Sequence, residues 1–169
     1  VVDIEVKEGQ VWGASGSLVG GGFNKTYNND GVFHYNIKEN DWRIYGIRFL
    51  YGQFCFGADC MNDFVGVAVD SKDPQVGVGC SFSVKGVAEF GGNNLIEAYD
   101  ASNSSLQIST VHGDRFAVAQ AAFDESSNLW VANSWVSKPL SVKTSEGTWK
   151  GFDCGTESQN SIASKIIVD

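Results

Sequence analysis

Basic residues are scarce: twelve Lys and Arg stand against twenty Asp and Glu in 169 residues, and nowhere do they form a run. A formal charge of −8 repels a phosphate backbone and an anionic membrane surface, so nucleic acid is excluded as a partner. No apolar run approaches the roughly 20 residues that span a bilayer. Histidine is scarcer still. His34 and His112 are the only two; neither sits at zinc-ligand spacing from a cysteine, and no Cys-x-x-Cys pair exists. Asp59, Asp63, Asp70 and Asp73 cluster in sequence, but their spacing matches no calcium loop and reads as turn chemistry. No metal and no cofactor is therefore expected. The glycine-rich stretch at 13–22 lacks a Gly-Lys-Ser/Thr ending and a helical pattern behind it, which excludes a phosphate-cradling loop. Long amphipathic helical runs are also missing. The alanine-rich stretch from Ala117 to Phe123 is the one short candidate, and it is read as a strand.

What the chain has in quantity is glycine and aromatics: twenty Gly, eleven Phe, five Trp and five Tyr. These are turn formers and residues that suit a pleated surface. The length fits one domain, 1–169, with a core of its own. The stretch from Trp42 to Val84 organises the rest. It holds Cys55, Cys60 and Cys80 and three strong strand patterns, at 42–51, 64–69 and 75–84. In the first of these both parities are apolar, which predicts a strand covered on both faces. In the last, Val76, Val78, Cys80, Phe82 and Val84 alternate with Gln75, Gly77 and Gly79, so Cys80 is expected to face the core.

Elsewhere, Val2, Ile4 and Val6 alternate with Asp3, Glu5 and Lys7, predicting a strand with one wet face, and such an opening suits a mature form from which a leader was removed. A strand at 12–18, the turn at Asn28–Gly31 and a strand at 32–37 follow, with His34 on the face opposite Phe33, Tyr35 and Ile37 and so pointing outward. From Gly86 on, turn clusters separate short apolar runs at regular intervals, and Ile162–Val168 is expected to close the structure beside the first strand. The fold expected is all-β: an antiparallel β-sandwich or β-barrel of about nine or ten strands.

Four cysteines suggest two disulfides. Cys55–Cys60 would clip a short loop. Cys154 shares parity with Phe152, and both it and Cys80 read as inward, so Cys80–Cys154 is the favoured second bridge. Sequons at Asn24 and Asn103 add to the case for a secreted, extracellular glycoprotein.

Several constellations carry candidate chemistry. Glu89 and Glu97 flank the Gly91–Asn94 turn within apolar surroundings, as a glycan hydrolase's carboxylate pair would require. Ser, His112 and Asp114 do not form a nucleophile elbow. Trp130 and Trp149 are expected to face outward, Trp135 inward; Asn133, Asp153 and their neighbours supply groups that read hydroxyls. The leading expectation is a non-catalytic recognition protein, of the virulence or defence effector type, binding an extracellular glycan or a protein at Trp130, Trp149, Asn133 and Asp153. The alternatives are a small hydrolase using Glu89 and Glu97, or a barrel that carries an apolar ligand.

Overall fold

The computed structural model describes residues 2–16, 30–46, 61–156, 161–163 and 165–168, together with the backbone at 18–19 and 22–23. Every regular element among them is a strand. β1 (Asp3–Lys7) and β2 (Gln10–Ala14) lead into a two-stranded hairpin, β3 (Leu18–Val19) with β4 (Gly22–Phe23). β5 (Val32–Asn36) and β6 (Asp41–Tyr45) then complete a first sheet in the order β1-β2-β5-β6. β7 (Phe64–Val69), β8 (Val76–Ser81), β9 (Val87–Gly91) and β10 (Asn94–Tyr99) make a second, and β11 (Val118–Phe123), β12 (Leu129–Asn133), β13 (Leu140–Lys143) and β14 (Trp149–Phe152) a third. All pairings are antiparallel.

The all-β, antiparallel expectation holds and the sheets pack face to face as in a sandwich, but there are three of them, and their twelve strands exceed the nine or ten expected. Three four-stranded sheets are stacked, with β7 lying against β1 on one side and β11 on the other. Successive meanders whose first strands adjoin have the arrangement of β-propeller blades. Turn signals mark where strands end, and they carry no information on which strands pair. The connections β6–β7 and β10–β11, where the chain changes sheet, look like any others.

Two cores result. Between the first and second sheets lie Trp12, Val32, Tyr45, Phe64, Val67 and Phe90. Between the second and third lie Val78, Cys80, Val87, Val118, Leu129 and Val131, with Leu106 and Phe116 from the β10–β11 connection. Fully burying such side chains contributes roughly 1.5–3 kcal/mol each. The second sheet is covered on both faces, and β8 shows how. Gly77 and Gly79 occupy the face toward the first sheet: a Cβ at Gly77 would enter the Trp12 ring, and one at Gly79 would sit 2.6 Å from Phe64. Gly66 does the same for β7, where a Cβ would lie 2.6 Å from the Ala119 carbonyl oxygen of β11.

The first sheet runs in the opposite phase to the one expected. Ile4 and Val6 face solvent, whereas Asp3 and Glu5 face the second sheet, where their carboxylates accept hydrogen bonds from the Val67 and Val69 N–H groups of β7 at 2.9 and 3.1 Å. His34 is buried, not solvated, stacked on Trp12 with ring centroids 4.1 Å apart and hydrogen-bonded to Gln10 Oε1 at 2.8 Å. β6 is covered on one face only: Tyr45 is buried, and Trp42 and Ile44 are exposed. Residues 47–60, including Cys55, Cys60 and Asp59, lie outside the described residues, as does Asn24.

The Cys80–Cys154 bridge is not formed. Both thiols are free: Cys80 sits in the core between the second and third sheets, and Cys154 is exposed beyond the end of β14, the outermost strand of the third sheet. Parity sets a side chain's face, not its position along a stack of three sheets. Residues 161–163 and 165–168 form no strand beside β1. They lie on the third sheet, where Trp135 N–H donates to the Ser161 carbonyl, Ala163 N–H to Ser134 Oγ, and Ile166 N–H to Gln120 Oε1.

Candidate functional site

β9 and β10 place Glu89 and Glu97 directly opposite one another across a bulge at Ile96. The hairpin brings the two together as the sequence suggests, but their environments differ from those of an acid–base pair. Glu89 Oε2 accepts hydrogen bonds from Lys143 Nζ at 2.7 Å and from Tyr99 Oη at 2.8 Å, in the seam between the second and third sheets. The ammonium sits over the Tyr99 ring as well. Burial above all, and the Glu89 carboxylate with it, pushes the Tyr99 hydroxyl up to about 12 despite Lys143. Burial lowers the Lys143 ammonium, and hydrogen bonds to Glu89 and Tyr99 outweigh it, leaving Lys143 raised. Glu89 thus clamps the second sheet to the third. Glu97 is exposed, and its Oε1 accepts the Ala98 N–H.

The expected aromatic binding residues separate. Trp149 points inward, edge-on to Tyr99 at 5.1 Å and packed against the second core. Asn133 is fully buried and donates from Nδ2 to the Gln107 carbonyl. Trp135 is not on the strand of Trp130, since β12 ends at Asn133; it takes a φ of 55° and meets the His112 ring edge-on at 4.9 Å. Asp153 is exposed past β14, and its Oδ1 accepts the Gly155 N–H. Asn103 sits in an exposed turn that uses its whole amide: Oδ1 accepts the Asp100 N–H, and Nδ2 donates to the Ala98 carbonyl. Asp70 and Asp73 accept from backbone N–H groups two residues on, as turn residues do. Among the described residues no three His, Cys, Asp or Glu side chains converge for a metal.

Trp130 lies on the outer face of the third sheet. The register Trp130 with Val142 and Lys150, and Ala132 with Leu140 and Phe152, sets these side chains on the face opposite the second sheet. Trp130 stacks on Phe152 at 5.9 Å, and its Nε1 donates to Asp124 Oδ2 at 2.9 Å. The same carboxylate receives Asn128 Nδ2 and the N–H groups of Ser126 and Asn128. Burial acts to raise Asp124; the hydrogen bonds from Trp130, Asn128 and Ser126 prevail and hold it at about 2. With Leu140, Ile166, Ile167 and Val168, these two residues line an open groove of about 360 Å³. One wall is aromatic and one aliphatic, and among the described lining residues the charged one is Asp124; Lys150 lies nearby, its ammonium over the Phe152 ring at 5.0 Å.

A second surface escaped the sequence reading. On the first sheet the register aligns Val6, Val11, Tyr35 and Trp42 in one row, and Ile4, Gly13, Phe33 and Ile44 in the next. Trp42, Ile4, Ile44 and Val6 are 63, 61, 58 and 56 % exposed, so this sheet carries apolar side chains on its outer face as well as on the core face that holds Trp12, Val32 and Tyr45. Trp42 stacks on Tyr35 at 4.4 Å, and Tyr35 Oη donates to Asn40 Oδ1. The available signal was the pairing of three alternating runs, Ile4/Val6, Phe33/Tyr35 and Trp42/Ile44.

No family model matches the chain, and no curated protein matches it. Its stacked sheets do have a counterpart among solved structures. The chain resembles part of PorZ. PorZ is described as an essential bacterial surface component of the type-IX secretion system of Porphyromonas gingivalis; 88 % of this chain superposes with a TM-score of 0.68 at 24 % identity. The match spans 19 % of the PorZ chain. A weaker match, to the extracellular domain of the putative one-component system BT4673 of B. thetaiotaomicron, covers 98 % of this chain and 24 % of that one, at a TM-score of 0.34 and 10 % identity. The PorZ likeness establishes the fold and nothing about activity.

Proposed function

We propose that this chain is a non-catalytic domain of an extracellular or surface-exposed protein, and that it recognises an extended segment of a protein partner in the groove around Trp130. The groove itself carries this reading. Its aromatic wall is Trp130, backed by Phe152; Leu140, Ile166, Ile167 and Val168 supply aliphatic surface, and Asp124 stands ionised at one side. An apolar side chain next to a Lys or Arg fits that chemistry, because the aromatic surface desolvates the first and the carboxylate pairs with the second. A sugar ring would want a flat platform ringed by hydroxyl-reading groups, and here Asn133 is buried away from the groove and Trp149 faces the core. The hydrolase reading loses its acid, since Glu89 is held by Lys143 and Tyr99. The carrier reading rested on a closed barrel, and the sheets are open. The description of PorZ as a surface component of a secretion system is in line with a protein partner.

Binding to a peptide array, alongside a glycan array, tests the proposal. Peptides with an aromatic or aliphatic residue beside Lys or Arg are expected to bind, with severalfold loss in Trp130→Ala and in Asp124→Asn. Binding confined to glycans, or peptide binding that both variants retain, would overturn it.

A further inference from the structure

The first sheet carries an aromatic and aliphatic face on which Trp42, Ile4, Ile44 and Val6 are exposed, and nothing among the described residues lies over it. Ile4, Val6, Val11, Phe33, Tyr35, Trp42 and Ile44 share that face, and no charged residue falls among them in the register. The opposite face of the same sheet is the one that holds Asp3, Glu5, His34 and Arg43, and it is the face buried against the second sheet. A lone sheet in water places its polar face outward and its apolar face inward. Here the more apolar face is the uncovered one. Four strands of five residues make a patch roughly 19 by 17 Å, about 300 Å² in plan, which is as large as the largest apolar patch on a typical monomer.

We infer that this face is an internal contact of a longer stack: it takes a further four-stranded antiparallel sheet of the same meander kind, supplied by the same polypeptide. Three observations converge. The molecule already solves the same problem twice, covering each sheet with the next meander of its own chain. Four strands of five residues are a small face for a separate copy to hold without a tether, since a stable complex buries roughly 800 Å² of accessible surface per partner. A sheet tethered in the same chain needs no such area, because its effective concentration is high. The fold also occurs within a longer chain, since the matched region is 19 % of PorZ. The two ends of the stack differ in this respect: residues 161–163 and 165–168 already lie across the third sheet, and nothing described lies across the outer face of the first.

The test compares the 169-residue chain by itself with the whole gene product isolated from its source organism. Hydroxyl-radical footprinting read by mass spectrometry should find Trp42 and Ile44 severalfold less reactive in the gene product, at every protein concentration. Equal reactivity in the two forms would overturn the inference, as would a gene product no longer than this chain. Protection that appears in the short chain and fades on dilution would assign the face to a second copy, and so overturn it as well. A double substitution, Trp42→Arg with Ile44→Lys, gives an independent readout. It should leave the melting temperature of the short chain unchanged and lower that of the gene product by several degrees; no lowering in the gene product counts against a covered face. Because these residues are remote from Trp130, groove binding by the short chain is expected to survive the double substitution.

Discussion

His34 shows how much a single residue's setting decides. It lies under Trp12, with Gln10 on its Nε2, and burial foremost, with the nearby Arg43 charge, lowers its pKa to about 4; Asp41 only partly offsets this. The unfolded chain takes up a proton near pH 6.5, and the folded chain refuses it until about pH 4. Stability is therefore complete above 6.5 and declines as the pH falls toward 4, by about 3 kcal/mol in all. Glu5 is shifted the other way, raised chiefly by burial, so the His34 contribution is read as a difference. Urea unfolding of the parent and of His34→Gln from pH 7 to pH 4 should show the parent's advantage shrinking along the series. A difference that does not change with pH would place His34 in a wet environment. The Glu89 clamp gives a second measurement at this scale. With side chains 13 and 21 % exposed, Glu89 and Lys143 form a partly desolvated pair, and Glu89→Gln strands the ammonium at a cost of about 1–3 kcal/mol in denaturant unfolding. Glu97→Gln, on an exposed side chain, should change little.

Within an element, β8 carries the clearest constraint. Its alternation of Val78 and Cys80 with Gly77 and Gly79 looks in sequence like a strand with one buried and one bare face. Both faces are covered, and the glycines are the hollows into which Trp12, Val32 and Phe64 fit. Gly77→Ala drives a methyl into the indole and is expected to lower stability by about 1–3 kcal/mol by overpacking, measured as a fall in the denaturant midpoint at unchanged slope. Gly92→Ala sets the comparison, since a Cβ there meets nothing within 4 Å and only the φ of 59° opposes it. β1 makes a related point through polar groups. Asp3 and Glu5 were legible as the polar parity of a strand, but their task is to satisfy two N–H groups of β7. That task exists only once the second sheet has docked.

For the whole molecule, stacking sets a gradient of protection. The second sheet is covered on both faces, the first on one, and β6 lies at the outer edge of the first. Native-state hydrogen exchange should be slowest in β7 and β8 and fastest in β6. Exchange in β6 as slow as in β8 would mean that the bare face is covered in solution.

The sequence by itself determined the fold class, most strand positions and the side chains that share a face, because a strand's period of two is a local property of the backbone. It also brought Glu89 near Glu97, since a tight turn at Gly91–Asn94 makes a hairpin; the bulge at Ile96, which sets the two directly opposite, was not legible. Only the tertiary structure decided which of two faces meets another sheet. Phe33 and Tyr35 turned out to lie on the outer face, half-buried, while His34 is buried; Trp149 faces inward while Phe152 faces out, and Cys80 and Cys154 lie on different parts of the stack. Alternation fixes the spacing of two faces and is blind to exchanging them; the choice belongs to the neighbouring sheet, which the chain supplies from a distance.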